Sequence, residues 1–277
     1  MRIPLCCIVL GVTMPACPTV GQKEGGPVQH ADHGAAVVFT SPEVNATQGY
    51  ATDGTHHYLF STSEIAKLDA DWKPVQSNTN PCAGLPPGAD HIGDGAYYRG
   101  RLYVPVEHYG SCSEFNHQTL AVYNANAEGL PLLKYKDISM DGHEISSIAI
   151  VPSKNALYTS SFCDGSKLWI YDLKTLTLKG TVRLSQNIEK IQGISWNPKS
   201  KRFALTADNA PQTVGYIFLV SSTGQVQGPI YTTPPLGELE GVDYTQDSIR
   251  YLIRRHVYFI DPGKLPGGSS SQYSTTQ

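Results

Sequence analysis

The sequence predicts an all-β fold, a five-bladed β-propeller whose ring is closed by an N-terminal strand. Three observations carry the prediction. A unit of strand, turn, strand and third strand recurs five times between residues 48 and 261, the third strand ending at Asp or Asn in four of the five. No segment keeps a helical period. The last unit lacks its fourth strand, and a spare strand stands before the first unit. A period of roughly 40–50 residues built from short strands marks a propeller.

From the N-terminus onward, Met1-Arg2 and the short apolar run Ile3 to Met14 read as an export signal over residues 1–17, too short to span a bilayer. Two readings stand open for it, plain secretion and a lipoprotein signal with a lipid anchor at Cys17. Residues 18–34 are polar and Gly-containing, a flexible tether. Ala35 to Thr40 is β-prone, with no unit of its own. It is expected to become the outer strand of the last blade and so remove an open edge. The propeller domain then covers residues 35–262, and 263–277, rich in Gly, Ser, Gln and Thr, is a disordered tail.

The five units open at Gln48-Gly49-Tyr50, Ile92-Gly93-Asp94, Ser146-Ser147-Ile148, Gln192-Gly193-Ile194 and Glu240-Gly241-Val242. The aligned Gly or Ser positions are 44, 54, 46 and 48 residues apart. The second strands are apolar, as at Tyr58-Leu59-Phe60 and Leu157-Tyr158-Thr159. Gly, Pro, Asn and Asp cluster between strands, as turns require.

The formal net charge of −3, with no basic stripe, argues against nucleic-acid binding and supplies no cationic face for a membrane. Three cysteines fall in the signal region, leaving Cys82, Cys112 and Cys163. An exported protein permits disulfides. Cys82–Cys112 is the first expectation and Cys112–Cys163 its rival, with one thiol left over either way.

In a propeller the first strand of each blade lines the channel, so polar residues at its start converge at one mouth. That ring is Gln48, His91 with Asp94, His143-Glu144 with Ser146, Gln192 and Glu240. A second ring, from the ends of second strands, contains Ser63, Glu107-His108, Ser161, Asp208-Asn209 and Arg255-His256. Glu240 lies between Leu239 and Gly241 and is expected to be partly desolvated, needing a partner or a cation. His143 and Glu144 are adjacent, so at most one points inward in an extended segment. Gln48 and Gln192 have an equally ordinary reading as bonds to a neighbouring blade, and strand ends such as Glu107 and Arg255 as solvated charges. Clustered carboxylates perturb each other and can do acid–base chemistry. The same oxygen-rich set suits a Ca²⁺ ion on the axis. No Ser-His-Asp set, phosphate-cradling loop, HExxH or CxxC motif is present, and no neighbour in sequence activates Ser161.

The QG, HIGDG, HEISSIA, QGI and EGV openings, each followed by an LYV-like strand, resemble secreted five- and six-bladed propellers of the NHL-like and gluconolactonase-like groups. At five blades the protein is more similar to calcium-dependent secreted nucleotidases and plant-type glutaminyl cyclases, over about residues 35–262. Leu239 to Val242 is similar to the last-blade Glu-Gly segment of the nucleotidases that reaches a central Ca²⁺. His143-Glu144 is similar to their His-Glu pair opening a middle blade. The resemblance therefore implies Glu240 and Glu144 as Ca²⁺ contacts. The first ring contains no Arg or Lys to hold a polyphosphate, Lys190 and Arg255 being nearest, which argues against nucleotide hydrolysis.

The resulting expectation is a secreted or otherwise extracytoplasmic propeller. It binds a small molecule, peptide or glycan at the channel mouth through Gln48, Asp94, His143, Gln192, Glu107, Asp208 and Arg255, with Ca²⁺ as cofactor. Two alternatives stand beside it. One is a hydrolase or glutaminyl cyclase-like enzyme with Glu240 as acid or base and His91 or Glu144 as partner. The other is a protein-interaction module with an inert channel.

Overall fold

The computed structural model describes residues 37–265 except 109, 111, 113, 114, 210, 211, 246 and 247. The expected export signal, the tether, Cys17 and most of the tail lie outside the described residues.

Five antiparallel sheets follow one another in sequence. Blade one is β2 (Gly49–Thr52), β3 (His57–Ser61), β4 (Glu64–Leu68) and β5 (Pro74–Asn78). Blade two is β6 (His91–Ile92), β7 (Ala96–Tyr98), β8 (Arg101–Glu107), β9 (Thr119–Asn124) and β10 (Leu132–Asp137). Blade three is β11 (Ser147–Val151), β12 (Ala156–Ser160), β13 (Lys167–Asp172) and β14 (Leu178–Arg183). Blade four is β15 (Ile191–Asn197), β16 (Arg202–Asp208), β17 (Gly215–Ser221) and β18 (Val226–Thr232). Blade five is β19 (Leu239–Asp243), β20 (Ile249–Ile253) and β21 (His256–Ile260), completed by β1 (Val37–Thr40).

Ring closure therefore runs as the sequence predicts. β1 pairs antiparallel with β21, matching Thr40 to Tyr258. The pairing continues past the strand: Ser41 N–H donates to Val257 O at 2.9 Å, and Val257 N–H to Ser41 Oγ at 2.9 Å. Arg255 belongs to this closure. Its Nε donates to Val44 O at 3.0 Å and its Nη1 meets Glu43 at 2.9 Å. After β21 comes one 3₁₀ turn, Pro262–Lys264, capped by Asp261, and Leu265 is buried against blade five, so the ordered domain extends beyond residue 262.

The second strands read as continuous apolar runs because both of their faces are covered. Side chains alternate between faces along a strand. Leu157 packs toward blade two and Tyr158 toward blade four, while Leu59 faces blade five and Phe60 blade two. Five apolar clusters thus fill the five seams between neighbouring blades. Tyr58, Tyr123, Tyr158, Tyr171 and Tyr251 are all fully buried there. Burying one such large side chain contributes about 1.5–3 kcal/mol.

The first strands meet on the axis, and there the repeat departs from its expected register. The backbone N–H groups of Tyr50, Ile148, Ile194 and Val242 each follow an aligned Gly or Ser, and all four bond Asp94. By this test Gly95, not Gly93, is the blade-two counterpart of Gly49. Asp94 then stands at the position of Gln48, Ser146, Gln192 and Glu240. The first two spacings become 46 and 52 residues. The glycines answer to the same residue. A Cβ on Gly49 would lie 2.5 Å from Asp94 Oδ1, one on Gly193 3.0 Å from its Oδ2, and one on Gly241 would overlap the carboxylate.

Candidate functional site: an acid-lined cavity at the channel mouth

The starts of the first strands and the ends of the second strands enclose a cavity of about 900 Å³. That size suits a small or extended organic ligand. Gln48, His91, Glu107, Glu144, Gln192 and Glu240 all line it, as the two sequence rings predict. Asp94, His143, Asp208 and Arg255 do not.

Each of the four has a structural reason. Asp94 is completely buried on the axis, its carboxylate taken up by backbone N–H groups. His143 turns away from the channel while Glu144 turns in, the alternation expected of adjacent residues in an extended segment. The His143 ring stacks on Trp169 at 4.0 Å, and its Nε2 meets Tyr171 Oη at 3.1 Å. Asp208 sits behind the wall, where its Oδ1 accepts Leu239 N–H at 3.0 Å. Burial pushes its carboxyl up to about 7. Arg255 braces the ring closure.

Two corners of the cavity hold carboxyl pairs. In the first, from blades two and three, the Glu107 carboxyl is hydrogen-bonded to Glu144. Ser161 Oγ donates to Glu144 Oε2 at 2.5 Å, and Cys163 N–H donates to the same oxygen at 3.3 Å. Among the described residues, the buried Glu144 Oε1 has no partner other than the Glu107 carboxyl. Burial, then the neighbouring Glu144 charge, push Glu107 up to about 9, and burial raises Glu144 as well. Burial and mutual repulsion favour a proton shared between the two carboxyl groups, so they titrate as a pair. Ser161 does have an acidic neighbour, which its sequence context hides. Its oxygen already accepts the N–H groups of Cys163 and Asp164, both at 3.0 Å, so the hydroxyl braces Glu144 and is no free nucleophile.

In the second corner, from blades four and five, Glu240 pairs with Glu238. Burial, then the Glu238 and Asp208 charges, hold Glu240 well above the carboxylate range. Glu238 Oε1 accepts Gln192 Nε2 at 2.6 Å and a second amide from Gln212. Gln48 Oε1 meets His91 Nε2 at 3.1 Å between the corners, and burial lowers the basicity of His91.

Sequence reasoning misses Glu238, Asp90 and Phe162 on this wall, and names Lys190 only as the nearest cation to it. For Glu238 a signal exists: residues i and i+2 of an extended segment share a face, so Glu238 and Glu240 point the same way. The others come from loops whose course no local pattern specifies.

The disulfide also corrects the first expectation. Cys112 bonds Cys163, with Cα atoms 5.3 Å apart, joining the loop after β8 to the loop after β12 beside the cavity. Cys82 is left as a half-buried thiol against the cluster between blades one and two. A stable disulfide belongs to an oxidising compartment.

The donor set does not suit the Ca²⁺ ion that the resemblance implies. Ca²⁺ takes six to eight oxygens. Among the described residues no three His, Cys, Asp or Glu side chains converge as ligands. Glu240 and Glu144 each face another carboxyl in separate corners. Among the described residues no helix is long and apolar enough to cross a membrane.

No protein-family model matches the sequence, and no curated protein matches it. Solved structures do match in shape. Glutaminyl cyclase from Myxococcus xanthus superposes with a TM-score of 0.58 at 14% identity, over 81% of this protein and 94% of the other. A protein of unknown function from Bacteroides thetaiotaomicron gives 0.50 at 10% identity, over 80% and 70%. A gluconolactonase from Xanthomonas campestris gives 0.49 at 13% identity, over 76% and 69%. The protein is thus a five-bladed β-propeller, similar in fold to a glutaminyl cyclase over nearly that enzyme's whole length.

Proposed function

We propose that the protein is an exported acid–base enzyme acting on a small polar substrate in the axial cavity, and that its reaction is acyl transfer of the glutaminyl cyclase kind. One observation carries the reading: the Glu107 and Glu144 carboxyl groups are paired with each other on the wall of a cavity large enough for a peptide N-terminus. Paired buried carboxyl groups are costly for a scaffold and useful for proton transfer. The fold likeness to a glutaminyl cyclase supports the reaction class. The cysteine pair supports the compartment.

In this reaction the neutral α-amine of an N-terminal glutamine attacks its own γ-carbonyl carbon. A bond forms between the amine nitrogen and that carbon, the bond from the carbon to its amide nitrogen breaks, and ammonia leaves. Glu144 takes the proton released by the attacking nitrogen, and Glu107 supplies one to the departing nitrogen. Ser161 and the Cys163 N–H hold Glu144 in place throughout. Gln48, bonded to His91, offers its amide to the substrate backbone.

Ammonia release from Gln-Leu-Ala-amide tests this. Turnover is expected for the wild type, with a loss of about 10²–10⁴-fold in Glu144→Gln at unchanged melting temperature. No ammonia between pH 5 and 9, while the peptide still raises the melting temperature, would leave a binding-only role. The bonds already made between Gln192, Gln212 and Glu238 suit such a pre-shaped binding pocket.

A further inference from the structure

We infer that Gln118, buried behind the first corner, is a positioning residue that holds Glu107 and Glu144 together for proton transfer, its amide nitrogen bonding the Glu107 carboxyl and its amide oxygen the backbone beside Glu144. The inference deepens the acid–base reading of the axial cavity and rests on it. Gln118 immediately precedes β9 and is 1% exposed, so it stands behind the wall and not in the cavity. Its main chain is anchored on both sides. Gln118 N–H donates to Ser139 Oγ at 3.1 Å, and its carbonyl accepts Ile138 N–H at 2.8 Å.

The side chain then reaches both members of the pair. Its Oε1 accepts the N–H of Ile145, the residue after Glu144, at 3.0 Å. Its Nε2 donates to Asn116 O at 3.4 Å and to the Glu107 carboxyl. The amide has no alternative orientation, because Ile145 N–H can only donate and Asn116 O can only accept. Two carboxyl groups bond each other only through a proton that one of them carries. With the amide donor filling an acceptor site on Glu107, that proton is left to the contact with Glu144. Glu144 is held at its carboxyl by Ser161 Oγ and Cys163 N–H, and at its following peptide by Gln118. A glutamine suits this place because it donates and accepts at once and adds no charge to a buried pair. An acid or base works only within hydrogen-bond reach of its proton. A side chain already bonded at both ends sets that reach before the substrate arrives.

NMR of the whole protein with ¹³C-labelled glutamate carboxyl carbons tests this without turnover, the Glu107 signal being assigned by its loss in Glu107→Gln. Glu144 and Asp90 are the acids whose charge reaches Glu107, and both stay in place in the variants. Gln118→Leu withdraws the amide donor and should move the upper titration midpoint of the pair, read on Glu107, upward by at least about 0.5 in pH. It also orphans Ile145 N–H, so its melting temperature is checked alongside. Gln118→Glu keeps an acceptor for Ile145 N–H, withdraws the same donor and should move the midpoint the same way; it decides the matter where the leucine variant does not fold. In ammonia release from Gln-Leu-Ala-amide both variants should lose at least about tenfold in kcat, with KM within about threefold of the wild type. An unmoved midpoint in the folded variants overturns the inference, as does a raised KM at unchanged kcat. A wild type that releases no ammonia removes the cyclase reading, and the carboxyl signal then decides on Gln118 by itself.

Discussion

Asp94 Oδ2 accepts the backbone N–H of Val242 at 3.1 Å, across 148 residues of sequence. The other oxygen accepts Tyr50 N–H at 3.0 Å. The Asp94 backbone is bonded on both sides to blade three, taking Ile148 N–H on its carbonyl and giving its own N–H to Ser146 O. One residue of blade two therefore touches the four other blades, with Ile194 supplying the contact to blade four. The glycines of the repeat exist to let this happen, because a side chain at Gly49 or Gly241 would occupy the space of the carboxylate. The axial residue that sequence offers as a ligand contact is the tie that closes the ring from inside, as β1 closes it from outside.

Asp94→Ala should accordingly destabilise the domain by about 3 kcal/mol or more, since it orphans several buried N–H groups at once. Asp94→Asn keeps the volume and one acceptor and should cost less. Urea unfolding of the three proteins measures both. A cost below about 1 kcal/mol for the alanine variant would mean that the axis holds without its carboxylate.

The Glu107–Glu144 pair makes a prediction about pH. Glu107 keeps its proton in the folded state up to about pH 9, whereas the unfolded protein releases it near 4.5. The folded state then binds the extra proton between these values, so its contribution to stability is greatest below about pH 4.5 and falls as pH rises toward 9. The melting temperature of the wild type should decline between pH 5 and 8.5 by at least about 2–4 °C. Glu107→Gln should flatten that decline. An equal slope in both proteins would place the titration elsewhere, Asp208 being the next group to test in its own window up to about pH 7.

Much of the fold is legible in sequence because a propeller repeats one local pattern, and each blade buries both faces of its second strand. Even the missing strand of the last blade can be assigned, since Ala35 to Thr40 has no other unit to join. The register of blade two is not legible. Gly93 and Gly95 both fit the repeat, and only the convergence of four N–H groups on Asp94 distinguishes them. The cavity is half legible for a related reason. Positions in or just before the first strands, such as Glu240 and Glu144, follow from the repeat. Lys190, Phe162 and the Cys112 loop depend on how connections of unequal length fold over the mouth.

The Cys112–Cys163 bond spans 51 residues and joins two of those connections. Closing a loop of that length in the unfolded state is worth about 4 kcal/mol in the chain-entropy account, with about 2–5 kcal/mol typical of measured losses. Cys112→Ser should cost stability in that range in guanidinium unfolding. Because Cys163 N–H also braces Glu144, it should slow ammonia release from Gln-Leu-Ala-amide as well. Full stability in the variant, or identical unfolding with and without reductant for the wild type, would show that the loops are held by packing alone.

Calcium provides the last test, because resemblance and geometry disagree on it. The resemblance places an ion between Glu240 and Glu144. The structure pairs Glu240 with Glu238 and Glu144 with Glu107, each pair kept partly protonated by burial. A cation held by both would need them ionised and brought to one point, together with about four or more further oxygens. Excess Ca²⁺ should therefore leave the melting temperature of residues 18–277 within about 1 °C of its value in EDTA, since only a ligand that binds the folded state raises it. A clear rise in the wild type that is absent from Glu240→Ala would reinstate the ion, and with it a different arrangement of both carboxyl corners.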